Sequence, residues 1–460
     1  MSQTPSEERH QRLAALDRAH VWHPFTQQQG WDQEDPLIVE RSEGSFLIDD
    51  QGKRYLDGIS SLWVTVHGHR KRALDEAIRA QLDKVAHSTL LGLASVPSIE
   101  LAAELAKRAP PGLTKVFYSD SGSTSVEIAL KIAFQFWRQS QRPEKKRFLA
   151  LGEAYHGDTL GSVSVGGMEL FHEIFRPLLF DVLRTPEPHC YRCPLGKSRP
   201  SCALACAAEA ERLIAAHAHE LAAVVVEPLM QGAAGMYAQP NGYLARLAAA
   251  CKAHDVLLIV DEVATGFGRT GTLFACTQEG VAPDLMCVAK GLTGGYLPLA
   301  ATLVTDRVSD AFRGSHESLR TFFHGHTYTG NPLACAVALA NLALFDSERT
   351  LEHVKAMEPQ LAQGLARIAE LSHVGDVRRR GFMVGIELVA DRATKGAYPS
   401  ALRMGHQVTL AARRRGVIVR PLGDVVVLMP PLSISAQELA LLLDVVQASI
   451  EEVTAVSRAA

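Results

Sequence analysis

Three short apolar runs, each closed by an ionisable side chain, constrain this chain more than any other feature. They are Val224-Val225-Val226 before Glu227, Leu257-Leu258-Ile259-Val260 before Asp261, and Leu285-Met286-Cys287-Val288-Ala289 before Lys290. Unbroken apolar runs of this length suit strands covered on both faces, as in a parallel sheet between helical layers. From about residue 75 onward, helix-periodic stretches such as residues 99–107 alternate with short apolar runs, the pattern of an α/β layer. In an open α/β sheet, ligands bind beyond the carboxyl ends of the strands. One polar residue at such an end only marks where the strand stops. Two acids and an amine at three ends in series point to one crevice.

The rest of the chain sets the frame. At ~150 residues per domain, 460 residues suggest roughly three domains or one large domain with a smaller one. A hydrophobic content of 47% with 21% charged residues excludes a disordered chain. Lys plus Arg number 47 against 50 Asp plus Glu, a net charge of -3, so neither a nucleic-acid partner nor a polybasic membrane patch is expected. The opening MSQTPSEERHQRL has no apolar core and does not read as a secretory signal. Residues 333–345 are interrupted by Asn341 and fall short of the ~20 residues that span a bilayer. A soluble cytoplasmic protein is expected. Residues 45–57 alternate around Asp50-Gln51-Gly52 and predict a β-hairpin. From about residue 346 a second, α+β unit is predicted, with helices over 351–371 and 403–415 and strands over 382–388, 417–420 and 425–429.

Within this frame, several residue groups can carry chemistry. Lys290, between an apolar strand and the turn containing Gly294-Gly295, is expected to be partly desolvated. Desolvation lowers a lysine pKa and frees its amine to attack a carbonyl; a snorkelling surface lysine is the plainer alternative. Asp261 needs a cationic or hydrogen-bonding partner if buried. A protonated pyridine nitrogen would serve, as would Arg269. Ser119-Asp120-Ser121-Gly122-Ser123-Thr124 leads into a predicted helix, with Thr124 and Glu127 spaced as a capping box. Small residues there expose backbone N–H groups that bind anions, although an ordinary N-cap is the commoner meaning. Tyr155, in Tyr155-His156-Gly157-Asp158, can stack on a planar ring or simply fill core space. His324-Gly325-His326-Thr327-Tyr328-Thr329-Gly330-Asn331-Pro332 opens another helix and offers further donors to a phosphate.

Taken together, the segments DEVATGFGRTG, VAKGLTGGYLPLAATL, SGSTSVEIALK, YHGD and HGHTYTGNP resemble the class III aminotransferases over essentially the whole chain. The resemblance implies the fold of type I pyridoxal-phosphate enzymes. That fold has a large domain (residues 76–345) with a mainly parallel seven-stranded sheet and a small α+β domain from both chain ends (1–75 and 346–460). It also implies a homodimer with shared active sites. The segments His20-Val21-Trp22-His23-Pro24-Phe25-Thr26, Ile59-Ser60-Ser61-Leu62-Trp63 and Val419-Arg420-Pro421-Leu422-Gly423 are most similar to the members that aminate 8-amino-7-oxononanoate in biotin synthesis. By similarity, Lys290 carries pyridoxal 5'-phosphate covalently, and Asp261 faces its ring nitrogen beside Val263. Gly122 and Ser123 hold the phosphate, Tyr155 stacks on the ring, and Gly325, His326 and Thr327 reach in from the second copy. Phe25, Leu62, Trp63, Asp158 and Arg420 border the substrate, Arg420 binding the keto-acid carboxylate. Phe25 stands where the family usually has Tyr, and Leu62 where it usually has Trp. These departures leave S-adenosylmethionine and lysine both open as donors. Other ω-aminotransferases, a 2,1-aminomutase and a non-catalytic cofactor-binding regulator are the competing readings. The last would need a DNA-binding module for which the residues before Trp22 are too few.

Cys190, Cys193, Cys202 and Cys206 have spacing compatible with structural zinc. The chemistry itself needs no metal, and none is expected in the active site.

Overall fold

The computed structural model describes residues 4–456. Helix α1 (Pro5–His20) starts with a capping box in which Thr4 and Glu7 satisfy each other's backbone N–H groups. An antiparallel ribbon follows, of β1 (Val39–Glu43), β2 (Phe46–Asp49) and β3 (Arg54–Asp57). The turn between β2 and β3 is organised by Asp49, whose carboxylate accepts from the N–H groups of Gln51 and Lys53 and from the Tyr55 hydroxyl.

The large sheet contains β4 (Leu113–Ser119), β5 (Arg147–Leu151), β6 (Val182–Thr185), β7 (Leu221–Val226), β8 (Leu257–Asp261), β9 (Leu285–Val288) and β10 (Ala300–Thr305). Their order is β4-β10-β9-β8-β7-β5-β6. Only β10 runs against its neighbours; the other pairings are parallel. The three apolar runs are the adjacent strands β7, β8 and β9, and every residue in them is buried. Val260 lies opposite Val226 and Asp261 opposite Cys287. This parallel register brings Glu227, Asp261 and Lys290 out at the same end of the sheet.

Helix α2 (Gly122–Gln139) covers one face, packing Ile128, Ile132 and Phe136 with Val225, Leu257 and Ile259. Leu244 and Leu247 join Val224, Val226 and Val260 in the core on the other face. Full burial of one such aliphatic side chain stabilises by ~1.5–3 kcal/mol. The interrupted apolar stretch at 333–345 lies inside helix α3 (Pro332–Ser347), and its Asn341 is fully buried. Among the described residues no helix is long and apolar enough to cross a membrane.

The C-terminal part contains β11 (Val374–Arg380), β12 (Met383–Leu388), β13 (Val417–Ile418), β14 (Arg420–Leu422) and β15 (Val425–Leu428). Four of these form an antiparallel sheet in the order β11-β12-β15-β14. The remaining one, β13, pairs in parallel with β3, so the two chain ends share a sheet. The stretch 417–420 is thus split between two sheets rather than forming one strand. Strands β11 and β14 had no apolar signature because both are edges. The first carries Arg378-Arg379-Arg380, and the second carries Pro421, which edge strands tolerate. Arg269 is buried and donates to the carbonyls of Thr65 (2.7 Å) and Pro430 (2.7 Å), joining the large sheet's loops to both chain ends.

Candidate active site

A cavity of about 730 Å³ opens beyond the carboxyl ends of β7, β8 and β9. Lys290 enters it from the turn after β9 with φ +46°, a left-handed conformation that costs a non-glycine residue energy unless its surroundings enforce it. Two contacts do so. The side-chain amide of Asn341 donates to the carbonyls of Gly291 (2.9 Å) and Leu292 (3.0 Å). Gly291 lies so close to Phe267 that a Cβ there would stand 2.8 Å from it. Lys290 Nζ stands 5.1 Å from the centroid of the Trp63 ring. Burial lowers the pKa of its amine, and nearby Asp261 and Glu227 partly offset this.

Asp261 ends β8 and is buried. Its Oδ2 lies 2.7 Å from His156 Nδ1, and its Oδ1 accepts from the Val263 N–H at 3.0 Å. Arg269, the other partner conceivable from the sequence, is bound to carbonyls elsewhere. Glu227, just past β7, accepts from the N–H groups of Gly232 (2.9 Å) and Tyr155 (3.2 Å). Burial pushes its carboxyl up to about 7.

The anion end differs from its expected form. Thr124 does not cap with Glu127; the reciprocal box is Ser121 with Thr124, so α2 begins at Gly122, three residues before the start that a Thr124 cap implies. Glu127 instead accepts from the Thr159 hydroxyl (2.7 Å) and the Ser162 N–H (3.2 Å), anchoring the neighbouring loop. The cap satisfies the Thr124 N–H. The first-turn N–H groups of Gly122 and Ser123, both residues on the cavity wall, are thereby open to an anion. Only glycine fits at 122, since a Cβ would stand 2.5 Å from Val263 Cγ1. The same holds at Gly157, which has φ +115° and would put a Cβ 2.3 Å from that of Ser123.

Lys290, Asp261, Gly122, Ser123, Val263, Tyr155, Asp158 and Trp63 all line this cavity. The Tyr155 hydroxyl donates to Asp158 at 2.9 Å. Phe25, Leu62, Gly325, His326, Thr327 and Arg420 lie outside the wall formed by this one chain. Phe25 is exposed and meets Phe171 edge-on (5.3 Å between centroids), and Phe171 in turn meets Tyr155. Leu62 is exposed beside Trp63. Arg420 is half-buried within electrostatic reach of Tyr155. Gly325 and Thr327 are exposed, while His326 Nδ1 lies 2.6 Å from Asp120, itself a wall residue. His156 and Asn341 carried no assignment in the sequence. The one hint for Asn341 was a lone polar residue in an otherwise apolar helix.

Pyridoxal phosphate fits this donor set. A desolvated amine suits its aldehyde, a buried carboxylate suits its ring nitrogen, and exposed first-turn N–H groups suit its phosphate. The fold and the site together define a pyridoxal-phosphate-dependent enzyme. Residues 28–450 match the family model described as aminotransferase class-III, and the chain belongs to that family. It is 61% identical over 445 residues to adenosylmethionine-8-amino-7-oxononanoate aminotransferase of Nitratidesulfovibrio vulgaris, covering 96% of this chain and 82% of that protein. Identity to the Geobacter sulfurreducens protein of the same name is 53%, over 96% and 98%. The crystal structure of the Methanocaldococcus jannaschii protein of that name superposes with a TM-score of 0.92 at 45% identity, covering 96% and 99% of the two chains. The omega transaminase from Pseudomonas jessenii in complex with PMP gives the same TM-score at 33% identity, over 96% and 98%.

Proposed function

We propose that this enzyme aminates the ketone of 8-amino-7-oxononanoate to give 7,8-diaminononanoate, the diamine of biotin synthesis, with S-adenosylmethionine or lysine as donor. The observation that carries the acceptor is the near full-length 61% identity to a protein named for that reaction. Pyridoxal phosphate, when bound, supplies an electron sink for the charge left on the donor carbon and a temporary store for the amino group.

The chain's own residues do the rest. Lys290 Nζ, desolvated and so available as a neutral amine, holds the cofactor aldehyde. When free, the same amine would take the donor Cα proton in the first half-reaction and supply a proton to the acceptor carbon in the second. Asp261, oriented by His156 and the Val263 N–H, presents a fixed carboxylate to the ring nitrogen. Gly122 and Ser123 receive the phosphate. Arg420 pairs with the substrate carboxylate; a bidentate guanidinium discriminates chain length and polarity better than an apolar pocket, which resolves one methylene by only ~1–3 kcal/mol.

The active unit is a cytoplasmic homodimer in which Gly325, His326 and Thr327 complete the phosphate site of the second copy. Their loop supports this by being largely exposed outside its own chain's cavity wall. The small domain comprises residues 1–75 and 346–460, and the large one 76–345. Phe25 and Leu62 flank the mouth and bear on the choice of donor.

The test assays 8-amino-7-oxononanoate against pyruvate and succinic semialdehyde as acceptors, each with S-adenosylmethionine and with lysine. Turnover of the oxononanoate with either donor is expected. Turnover of only the other acceptors would move the enzyme among the general ω-transaminases.

A further inference from the structure

Four of the eight cysteines gather in the irregular segment after β6, at the sheet edge, and transamination uses none of them. Cys190, Cys193, Cys202 and Cys206 all border one small cavity of about 20 Å³. That is room for one water-sized occupant. A tight turn follows the first pair, in which the N–H of Gly196 (φ +62°) donates to the Cys193 carbonyl at 2.9 Å. Cys206 lies in the first turn of helix Ala205–His217, whose N-cap makes no side-chain hydrogen bond.

We propose that these four cysteines bind one zinc ion as a tetrathiolate clip. Four thiols each lose a proton to solvent, and four Zn–S bonds of ~2.3 Å form. The resulting assembly carries two negative charges, and two cations, Lys197 and Arg199, stand on the same cavity wall to balance them. No three of the sulfurs lie within 4.8 Å of one another as they stand, so capture draws the loop inward over the void. The one tighter group among the described residues, His189 with Asp376 and Glu387, is already neutralised. Arg378 donates to both carboxylates (2.9 and 2.6 Å), and Arg192 to Glu387 (2.6 Å), which repels a cation.

The clip has a structural consequence. The knuckle docks on the C-terminal sheet. Lys395 Nζ donates to the Tyr191 carbonyl at 2.6 Å, Arg192 holds Glu387, and a Cβ on Gly375 would stand 2.4 Å from the Tyr191 hydroxyl. A zinc-fixed knuckle therefore holds the edge of the large sheet against the C-terminal sheet.

The test uses full-length, tag-free holoenzyme from zinc-supplemented culture, purified without chelator. Metal is measured by plasma mass spectrometry and thiols by mercurial titration with a zinc indicator. The expected result is one zinc per chain, released as four thiols react, with less than a tenth retained in the Cys193→Ser/Cys202→Ser double variant and full retention in Glu387→Gln. The double variant is expected to keep cofactor and turnover at ambient temperature while inactivating several-fold faster on heating. If that variant does not fold, cobalt substitution of the parent decides: a tetrahedral thiolate spectrum supports the site, and a nitrogen/oxygen spectrum overturns it. Parent protein with under a tenth of an equivalent of zinc and four freely titrating thiols overturns it as well. So does zinc that survives in the double variant and leaves with Glu387→Gln.

Discussion

Replacing Asn341 by leucine separates the stability of the fold from the positioning of Lys290. The amide has two donations, to Gly291 and Leu292. After the change the Leu292 carbonyl is left buried without a donor, which costs about 1–3 kcal/mol. The Gly291 carbonyl keeps the Gly294 N–H at 3.1 Å, so it loses only one bond of about 0.5–1.5 kcal/mol. Against this, Asn341 Oδ1 is itself buried without a partner, and its removal recovers about 1–3 kcal/mol. The net cost to folding is therefore about 1 kcal/mol. The turn that forces Lys290 to φ +46° loses its tether all the same, and a displacement of ~1 Å at a reacting group costs up to ~100-fold in rate. Urea unfolding should show the small stability loss, and single-turnover kinetics of the donor half-reaction a fall of roughly 10- to 100-fold with cofactor still bound. A rate within about twofold of the parent would mean that β9 and Phe267 position Lys290 unaided, and the role given to Asn341 would be wrong.

Lys290→Ala abolishes turnover, and borohydride no longer fixes the cofactor to the chain; covalent labelling elsewhere would contradict the assignment. Arg420→Ala raises the KM for the keto acid tenfold or more, about 1.4 kcal/mol of binding, with cofactor affinity unchanged by titration. Glu227 has its folded-state pKa raised to about 7, above the ordinary carboxyl value, so its neutral form is the one favoured in the fold. Its contribution to stability is present at acid pH and lost as pH rises through about 7. Apoprotein unfolding should therefore show a decline from about pH 4.5 to about pH 7, levelling off above it, that is absent in Glu227→Gln; parallel profiles would refute it. Gly122→Ala drives a methyl into Val263 and should weaken cofactor binding about tenfold by fluorescence titration, a loss of ~1.4 kcal/mol.

The central sheet and the two ends of the cofactor site are legible in the amino-acid order. Strands buried on both faces must be apolar along their whole length, so β7, β8 and β9 announce themselves locally, and whatever terminates them is visible as the first ionisable residue. Glycines at 122 and 157 mark places where side chains crowd the backbone. Tertiary structure alone decided how those groups are held. His156 reaches Asp261 across 105 positions, and Asn341 reaches the Lys290 turn across 50, with no local pattern linking the partners. Thr124 caps with Ser121 and not with Glu127 for the same reason: Glu127 holds a distant loop, and Ser121 is equally well spaced to cap. The pairing of β13 with β3, and the edge strands β11 and β14, likewise depend on neighbours from remote sequence, because an edge needs no apolar code. Short-range chemistry writes what a strand and its end residue can do. Which second residue makes that end residue act is a matter of three-dimensional packing, where the energy depends on contact and not on sequence distance.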